Sequence, residues 1–473
     1  MRFLWFLLVV PFLASGQYAT IRGVAPLAIG QEIQLRVNED PVSGKERILA
    51  KQTVAADGSF ELKAIPDDQV QYAILQVGQH CADFYMERDK ELELSFVPPP
   101  KDPTKPEAFY ERHFFVPKVL GGKSAKLNGQ VIAFNDSIDR FLEAIYPMLV
   151  QRKSPAFVAQ KVGSFEKRML KQFATAEPFV KEHIKYSLAG VEQTFLTDRE
   201  RLFEKYLKGV RMQFNNLAFT DFVLQYFQGV VNSMVMVNRH DECKKLLAGK
   251  EAFSKLDELL LSEEPKLQEA AMRRLVLIEG MDGLYGQKDM PNERLSVALN
   301  EFAAFSSSSY LGNAARNVAS KHENLANGAE APDIVFKDLN GKTRNLSEFE
   351  GTYVFLELTD AMNGYCQRET NVMPNLKDEF RDIRFVTICV GNTPEEVRSL
   401  RGRMAIDWDL GMIELSSPTL TDYDIKSLPL FFIIDPQGRF YSIPAKEPSR
   451  GAQSELMSLS EKLKVKGRSG VGK

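Results

Sequence analysis

Cysteine is scarce in this chain: 473 residues contain four, Cys81, Cys243, Cys366 and Cys389. Each stands alone in sequence. No C-x-x-C pair exists, which excludes a zinc ribbon and an intact dithiol motif. Four thiols in so long a chain do not make a disulfide scaffold either. Histidine is nearly as rare, at five, and the last is His322. A Cys–His nucleophile pair is therefore excluded beyond that point. Net charge is almost absent, with 60 Lys and Arg against 63 Asp and Glu. So balanced a chain has no general electrostatic pull toward nucleic acid. No Gly-rich phosphate loop with its lysine is visible. Past the N-terminus, no run approaches the ~20 apolar residues of a membrane span.

What is present begins with Met1-Arg2, the nearly unbroken apolar stretch Phe3 to Leu13, and the small residues Ala14-Ser15-Gly16. This three-part layout predicts a secretory signal over residues 1–16, cleaved before Gln17. No Cys follows the apolar stretch, so a lipid-modified cysteine is not expected there. The expected product is exported to the periplasm or cell envelope, with no integral membrane segment left after cleavage.

The length predicts about three domains, and three composition regimes follow the signal. Residues 17–98 carry strand signals. Glu32 to Val37 and Glu91 to Phe96 alternate apolar and polar, Tyr72 to Val77 is β-rich, and Ala56-Asp57-Gly58-Ser59 is a turn. A small antiparallel β-sandwich is expected. His80 and Cys81 adjoin, but neighbouring strand side chains face opposite ways, so no metal site is expected.

Residues 99–325 form a predicted α-helical domain, entered through the linker Pro98-Pro99-Pro100. Ile138, Phe141, Leu142, Ile145, Tyr146 and Leu149 recur at helical spacing, as do Val162, Phe165, Met169, Leu170 and Phe173. Asp241 and Ser262 are candidate N-caps. Phe222, Tyr226 and Phe227 fit a helical core better than a binding groove, and Cys243 is expected at or near the surface.

Residues 326–465 alternate strands and helices and end in a hairpin, the pattern of an α/β sheet covered on both faces. A basic tail, 466–473, follows. Several pieces stand out: Ala331-Pro332-Asp333, Asn340-Gly341-Lys342, the turn Leu346 to Gly351, and above all Ser427-Leu428-Pro429-Leu430-Phe431-Phe432-Ile433-Ile434-Asp435-Pro436-Gln437-Gly438. On these residues the domain resembles the thioredoxin fold of TlpA/ResA-type exported thiol-disulfide oxidoreductases. The resemblance implies a cis proline at Pro429 beside the active cysteines. The whole layout is similar to multidomain envelope members of that family.

The family motif is Trp-Cys-x-x-Cys with a Glu three residues on. Laid without gaps from Val354-Phe355-Leu356-Glu357, this chain reads Asn363-Gly364-Tyr365-Cys366-Gln367-Arg368-Glu369. Cys366 then takes the second cysteine, Glu369 the glutamate, and Asn363 stands where the nucleophile is lost. A second register makes Cys366 the first cysteine and Glu369 the replaced second one. In either, Cys366 alone cannot complete the two-cysteine cycle. A helix N-terminus lowers a thiol pKa, and Arg368 would help while Glu369 opposes. Cys389, near the end of a central strand, is a candidate redox partner.

Three functions stay open. The first is an envelope thiol-disulfide oxidoreductase limited to single-thiol chemistry at Cys366. The second is an inactive thioredoxin-fold binding or scaffold protein. The third is a single-cysteine peroxidase, whose P-x-x-x-T-x-x-C motif is unmet here, with Pro429 where an activating Arg belongs. The expected partners are protein thiols or extended peptides at the Pro429 cleft. No cofactor or metal is expected.

Overall fold

A computed structural model of the chain describes residues 18–100, 112–150, 154–195, 198–287, 289–415 and 417–469. The expected signal, the stretch after Pro100 and the end of the tail lie outside them. The chain divides into two compact units. The first takes in the residues up to Pro99, Phe114–Gln228 and Pro265–Val276; the second holds Gly229–Glu264 and everything from Leu277 on. Among the described residues no helix is long and apolar enough to cross a membrane.

The first unit opens with nine strands: β1 (Ala19–Val24), β2 (Glu32–Asn38), β3 (Glu46–Thr53), β4 (Ser59–Ala64), β5 (Val70–Val77), β6 (His80–Glu87), β7 (Glu91–Ser95), β8 (His113–Phe115) and β9 (Lys118–Gly121). They form two sheets, ordered β4-β1-β7-β9 and β3-β2-β5-β6-β8. The alternation in β2 and β7 has the expected cause. Ile33, Leu35 and Val37 share one buried core with Leu92 and Leu94, while the residues between them face outward. One expectation fails: β1 and β7 pair in parallel. Parallel neighbours need a long crossover, and five strands lie between these two in sequence. Cys81 is buried and His80 exposed, on opposite faces as predicted.

Among the described residues five whole helices follow in this unit: α1 (Ala125–Val150), α2 (Pro155–Gln172), α3 (Pro178–Phe195), α4 (Arg199–Tyr206) and α5 (Leu217–Tyr226). Ser154, Asp198 and Asn216 cap α2, α4 and α5 by accepting backbone N–H bonds, which satisfies donors a helix start leaves orphaned. Leu127, Val131 and Phe134 of α1 and Ile184 and Leu188 of α3 share a core with Val70 and Tyr85 of the sheet. Phe222, Tyr226 and Phe227 are core residues.

In the second unit α6 (Val230–Ser233) runs into a π-helical turn, Met234–Asn238; α7 (His240–Ala248) and α8 (Ala252–Glu263) follow. After α9 (Ala270–Asp282), which the unit boundary divides, come α10 (Asn292–Phe305) and α11 (Ser309–Asn324). Neither expected N-cap sits at a helix start. Asp241 lies inside the first turn of α7, because the π-helical turn feeds that helix directly. Ser262 is in the last turn of α8, donating to the Leu259 carbonyl at 2.7 Å. Cys243 is not at the surface but fully buried, and burial pushes its thiol up to about 11.

The C-terminal part carries β10 (Val335–Asp338), β11 (Thr343–Asn345), β12 (Tyr353–Thr359), α12 (Gly364–Thr370), α13 (Met373–Glu379), β13 (Ile383–Val390), α14 (Pro394–Arg403), β14 (Asp409–Ile413), α15 (Thr419–Asp422), β15 (Leu430–Ile434), β16 (Phe440–Ser442) and α16 (Ala452–Ser469). One sheet runs β11-β10-β14-β13-β12-β15-β16. Its central pairs β12–β13 and β13–β14 are parallel, and β15 is antiparallel to β12. Residues 364–379 form two helices instead of one, because Pro374 at the start of α13 removes a backbone donor and crowds the preceding turn. Both faces of the sheet are covered. Val354, Leu356 and Leu358 pack into one cluster, and Phe355 packs with Leu376 of α13 and Leu456 of α16 in another.

Candidate functional site

Strand pairing brings the sequence-predicted residues to one sheet edge. Thr359, the last residue of β12, stands level with Cys389 of β13. Leu358 pairs with Leu430, so Pro429 lies just beyond that pair at the same end. Crevices outside the carboxyl ends of parallel strands are the usual sites of α/β sheets. The Leu428–Pro429 peptide is cis. Leu428 and Cys366 belong to the same buried cluster.

Between β12 and α12 the loop is pinned by hydrogen bonds. Asp360 Oδ1 accepts from Met362 N at 2.9 Å and from Asn392 Nδ2 at 2.9 Å, while Asn392 Oδ1 accepts from Ala361 N at 3.0 Å. Asn363 is exposed and is the N-cap of α12. Its Oδ1 accepts from Tyr365 N at 2.8 Å and Cys366 N at 3.2 Å. The side chain that the gapless register equates with the attacking thiol thus serves as a helix cap.

Cys366 has no exposed surface. Burial pushes its thiol up to about 11, beyond what the hydrogen bonds from Asp360 and Thr359 offset. Cys389 is equally buried, and burial raises its thiol well above the ordinary range. Both are protonated at neutral pH, and none of the four cysteines forms a disulfide. The lowering expected from the helix start is outweighed by desolvation of the thiolate.

Glu369 faces away from that thiol chemistry. It is 3% exposed, and its carboxylate accepts from Ser449 N at 2.9 Å and from Ser449 Oγ at 2.6 Å. Tyr365 Oη donates to Glu447 Oε1 at 2.8 Å. Together these bonds fasten α12 to the turn at 447–450. Arg368 lies over the Tyr365 ring at 5.2 Å instead of at the thiol.

One site residue escaped the sequence reading. Glu357, in the middle of β12, has zero exposure. Thr370 Oγ1 lies 2.6 Å from its Oε1, and Thr387 Oγ1 donates to its Oε2 at 2.8 Å. Trp408 Nε1 in turn donates to Thr387 Oγ1 at 3.0 Å. Burial pushes this carboxyl up to about 7 against the lowering by Thr370, Thr387 and Thr359. The signal was available: a strand buried on both faces reads apolar throughout, and Val354-Phe355-Leu356-Glu357-Leu358 breaks that rule once.

Comparison with known proteins agrees with this geometry. Residues 327–442 match the family model described as AhpC/TSA family. The thiol-disulfide oxidoreductase ResA of Bacillus subtilis (strain 168) is 25% identical over 139 residues, 29% of this chain and 77% of that protein. ResA of Geobacillus kaustophilus (strain HTA426) is 28% identical over 121 residues, 25% of this chain and 69% of that protein. The C-terminal domain is thioredoxin-like, of the TlpA/ResA type. Among solved structures, a thiol:disulfide interchange protein from Bacteroides sp. has a TM-score of 0.27 at 22% identity, covering 29% of this chain and 90% of that one. All of these likenesses concern the thioredoxin-like domain, roughly the last third of the chain.

Proposed function

We propose that the thioredoxin-like domain is a binding module for extended polypeptide in the cell envelope, and that it does not run the dithiol cycle of its relatives. The observation that carries this reading is Cys366, a thiol with no surface and an upward-shifted pKa. A thiol attacks as its thiolate and only when a disulfide can reach it. Asn363, exposed at the head of α12, is held by its own helix and has no sulfur to offer. The degenerate motif keeps the loop and the helix start and discards the attacking atom. Leu428 and Pro429 at the same sheet edge are themselves buried, so an extended chain would lie beside them, against the exposed Met362 and Asn363. Export follows from the N-terminal signal layout and places the module where unfolded or extended polypeptide passes.

The test is alkylation of Cys366 in the folded full chain, followed by mass spectrometry across neutral and mildly alkaline pH. The expected result is no labelling until denaturant is added. Labelling of the folded protein with a midpoint below the ~8.5 of a free thiol would overturn the proposal. It would restore the first of the three functions, single-thiol redox chemistry, which the ResA likeness and the retained Cys366 favour.

A further inference from the structure

In the first unit a cavity of about 510 Å³ lies between β5–β6 and helices α1, α3 and α5. That volume is within the range of about 300–1,000 Å³ typical of small-molecule sites. Its lining includes Tyr72 and Asp83 from the sheet, Asp136 and Asp139 from α1, and His183 from α3, with no Lys or Arg. A smaller recess of about 240 Å³ shares Tyr85 and His183 with it and adds Asp221, again without a basic residue. Arg140, at 3.8 Å, pairs with Asp136 from outside the lining.

Two polar groups in this wall lack what their chemistry asks for. Asp83 is half-buried, and its one side-chain hydrogen bond comes from Tyr72 Oη at 3.2 Å. Burial raises its pKa, and among the described residues no Lys or Arg acts to lower it. His183 is 7% exposed. Its Nε2 is 3.1 Å from Asn135 Oδ1, so Nε2 carries the proton and donates. Burial lowers the ring's pKa to about 4, so the ring is neutral at physiological pH. Nδ1 is then a bare acceptor, buried without a partner. A buried acceptor left unpaired destabilises the fold, and the group it lacks is a donor. Tyr72 and Tyr85 stand edge to face, 5.8 Å apart, and offer ring surface to an apolar body or a cation.

We propose that this cavity binds a small organic cation, a primary ammonium carried on an apolar body. The carboxylates of the lining, Asp83, Asp136 and Asp139, supply its counter-charge, the bare His183 Nδ1 offers an acceptor, and the body lies against the tyrosines. A metal ion fits less well, since among the described residues no three His, Cys, Asp or Glu side chains converge as a metal would require.

The experiment is calorimetric titration of the full chain with 2-phenylethylammonium, and with 3-phenylpropionate as the matched anion. Saturable binding of the amine at one site, absent for the anion, is expected. Asp83→Asn and Asp139→Asn should each weaken it about tenfold; Asp139 is exposed on α1, so the second variant keeps the fold intact. The proposal is overturned by no amine binding at millimolar concentration, by equal binding of the anion, or by affinity unchanged in both variants. None of these outcomes bears on Cys366, so the two proposals stand or fall separately.

Discussion

At the scale of single residues, the C-terminal domain is decided by where desolvation is tolerated. Glu357 sits with zero exposure among threonine hydroxyls, its carboxyl moved from 4.5 up to about 7. The sign of the linkage follows. Between pH 4.5 and 7 the unfolded chain has released this proton while the folded protein keeps it. The folded state therefore binds more protons, and stability falls as pH rises through that window, then levels off above the folded pKa. The full swing is on the order of 3 kcal/mol, at 1.36 kcal/mol per unit. Glu357→Gln keeps the shape and hydrogen-bonding capacity and cannot ionise. Denaturant unfolding of both proteins across this range should give a stability difference that grows toward neutral pH in the variant's favour. A difference that does not change with pH would mean that Glu357 is charged in the folded protein at all these pH values, and the buried-acid description would be wrong.

At the scale of elements, the loop and first turn of α12 carry the argument about the motif. Position 363 is the N-cap, and Cys366 is one turn further on. That is the spacing at which a C-x-x-C pair closes. Asn363→Cys should therefore form a bridge from position 363 to Cys366 on mild oxidation, read as a loss of two hydrogens in intact mass and of alkylation after unfolding. The cap hydrogen bonds are lost with the Asn, at about 1 kcal/mol, so the oxidised variant is the one to compare. Thiols that stay free would sink the gapless register. The elements themselves were unevenly legible. β2 and β7 could be read because one face of each meets a core and the other meets water. β12 and β15 could be read as apolar runs. β14 carries no such signal, since Asp409-Leu410-Gly411-Met412-Ile413 has Gly at its centre. The structure gives the reason for that Gly: a Cβ on Gly411 would lie 2.2 Å from Phe336 Cδ2, so β10 dictates what β14 can carry. Asp241 and Ser262 misled for a related reason. They are good capping residues, but the π-helical turn and the length of α8 decide where those helices begin and end. At the site, Cys366, Asn363, Glu369 and Pro429 were found through a motif. Glu357, which belongs to no motif the reading considered, was visible only as a charge out of place.

At the scale of the whole molecule, the question is which stretches of chain can fold without the rest. The sheet of the thioredoxin-like domain is complete between Val335 and Ser442, and its two faces are covered by helices that lie between Gly364 and Ser469. Residues 326–473 expressed alone should therefore unfold in one cooperative transition, followed by circular dichroism. The stretch 99–325 is in a different position. Phe134, Ile184 and Leu188 share their core with Val70 and Tyr85 of the sheet. Asn128 of α1 exchanges two hydrogen bonds of 2.8 Å with the Tyr85 backbone. Cutting after residue 98 exposes that apolar face and removes both Tyr85 partners of Asn128, leaving its Nδ2 only the Ser124 carbonyl at 3.1 Å, a loss of about 1–3 kcal/mol for the unpaired Oδ1 alone. Expressed without the sheet, 99–325 should bind a hydrophobic dye and melt without a sharp transition, while 18–228 keeps α1 to α5 folded on the strands. A cooperative transition in 99–325 would instead make residue 98 a true domain boundary, and the shared core a contact between two bodies that each fold alone.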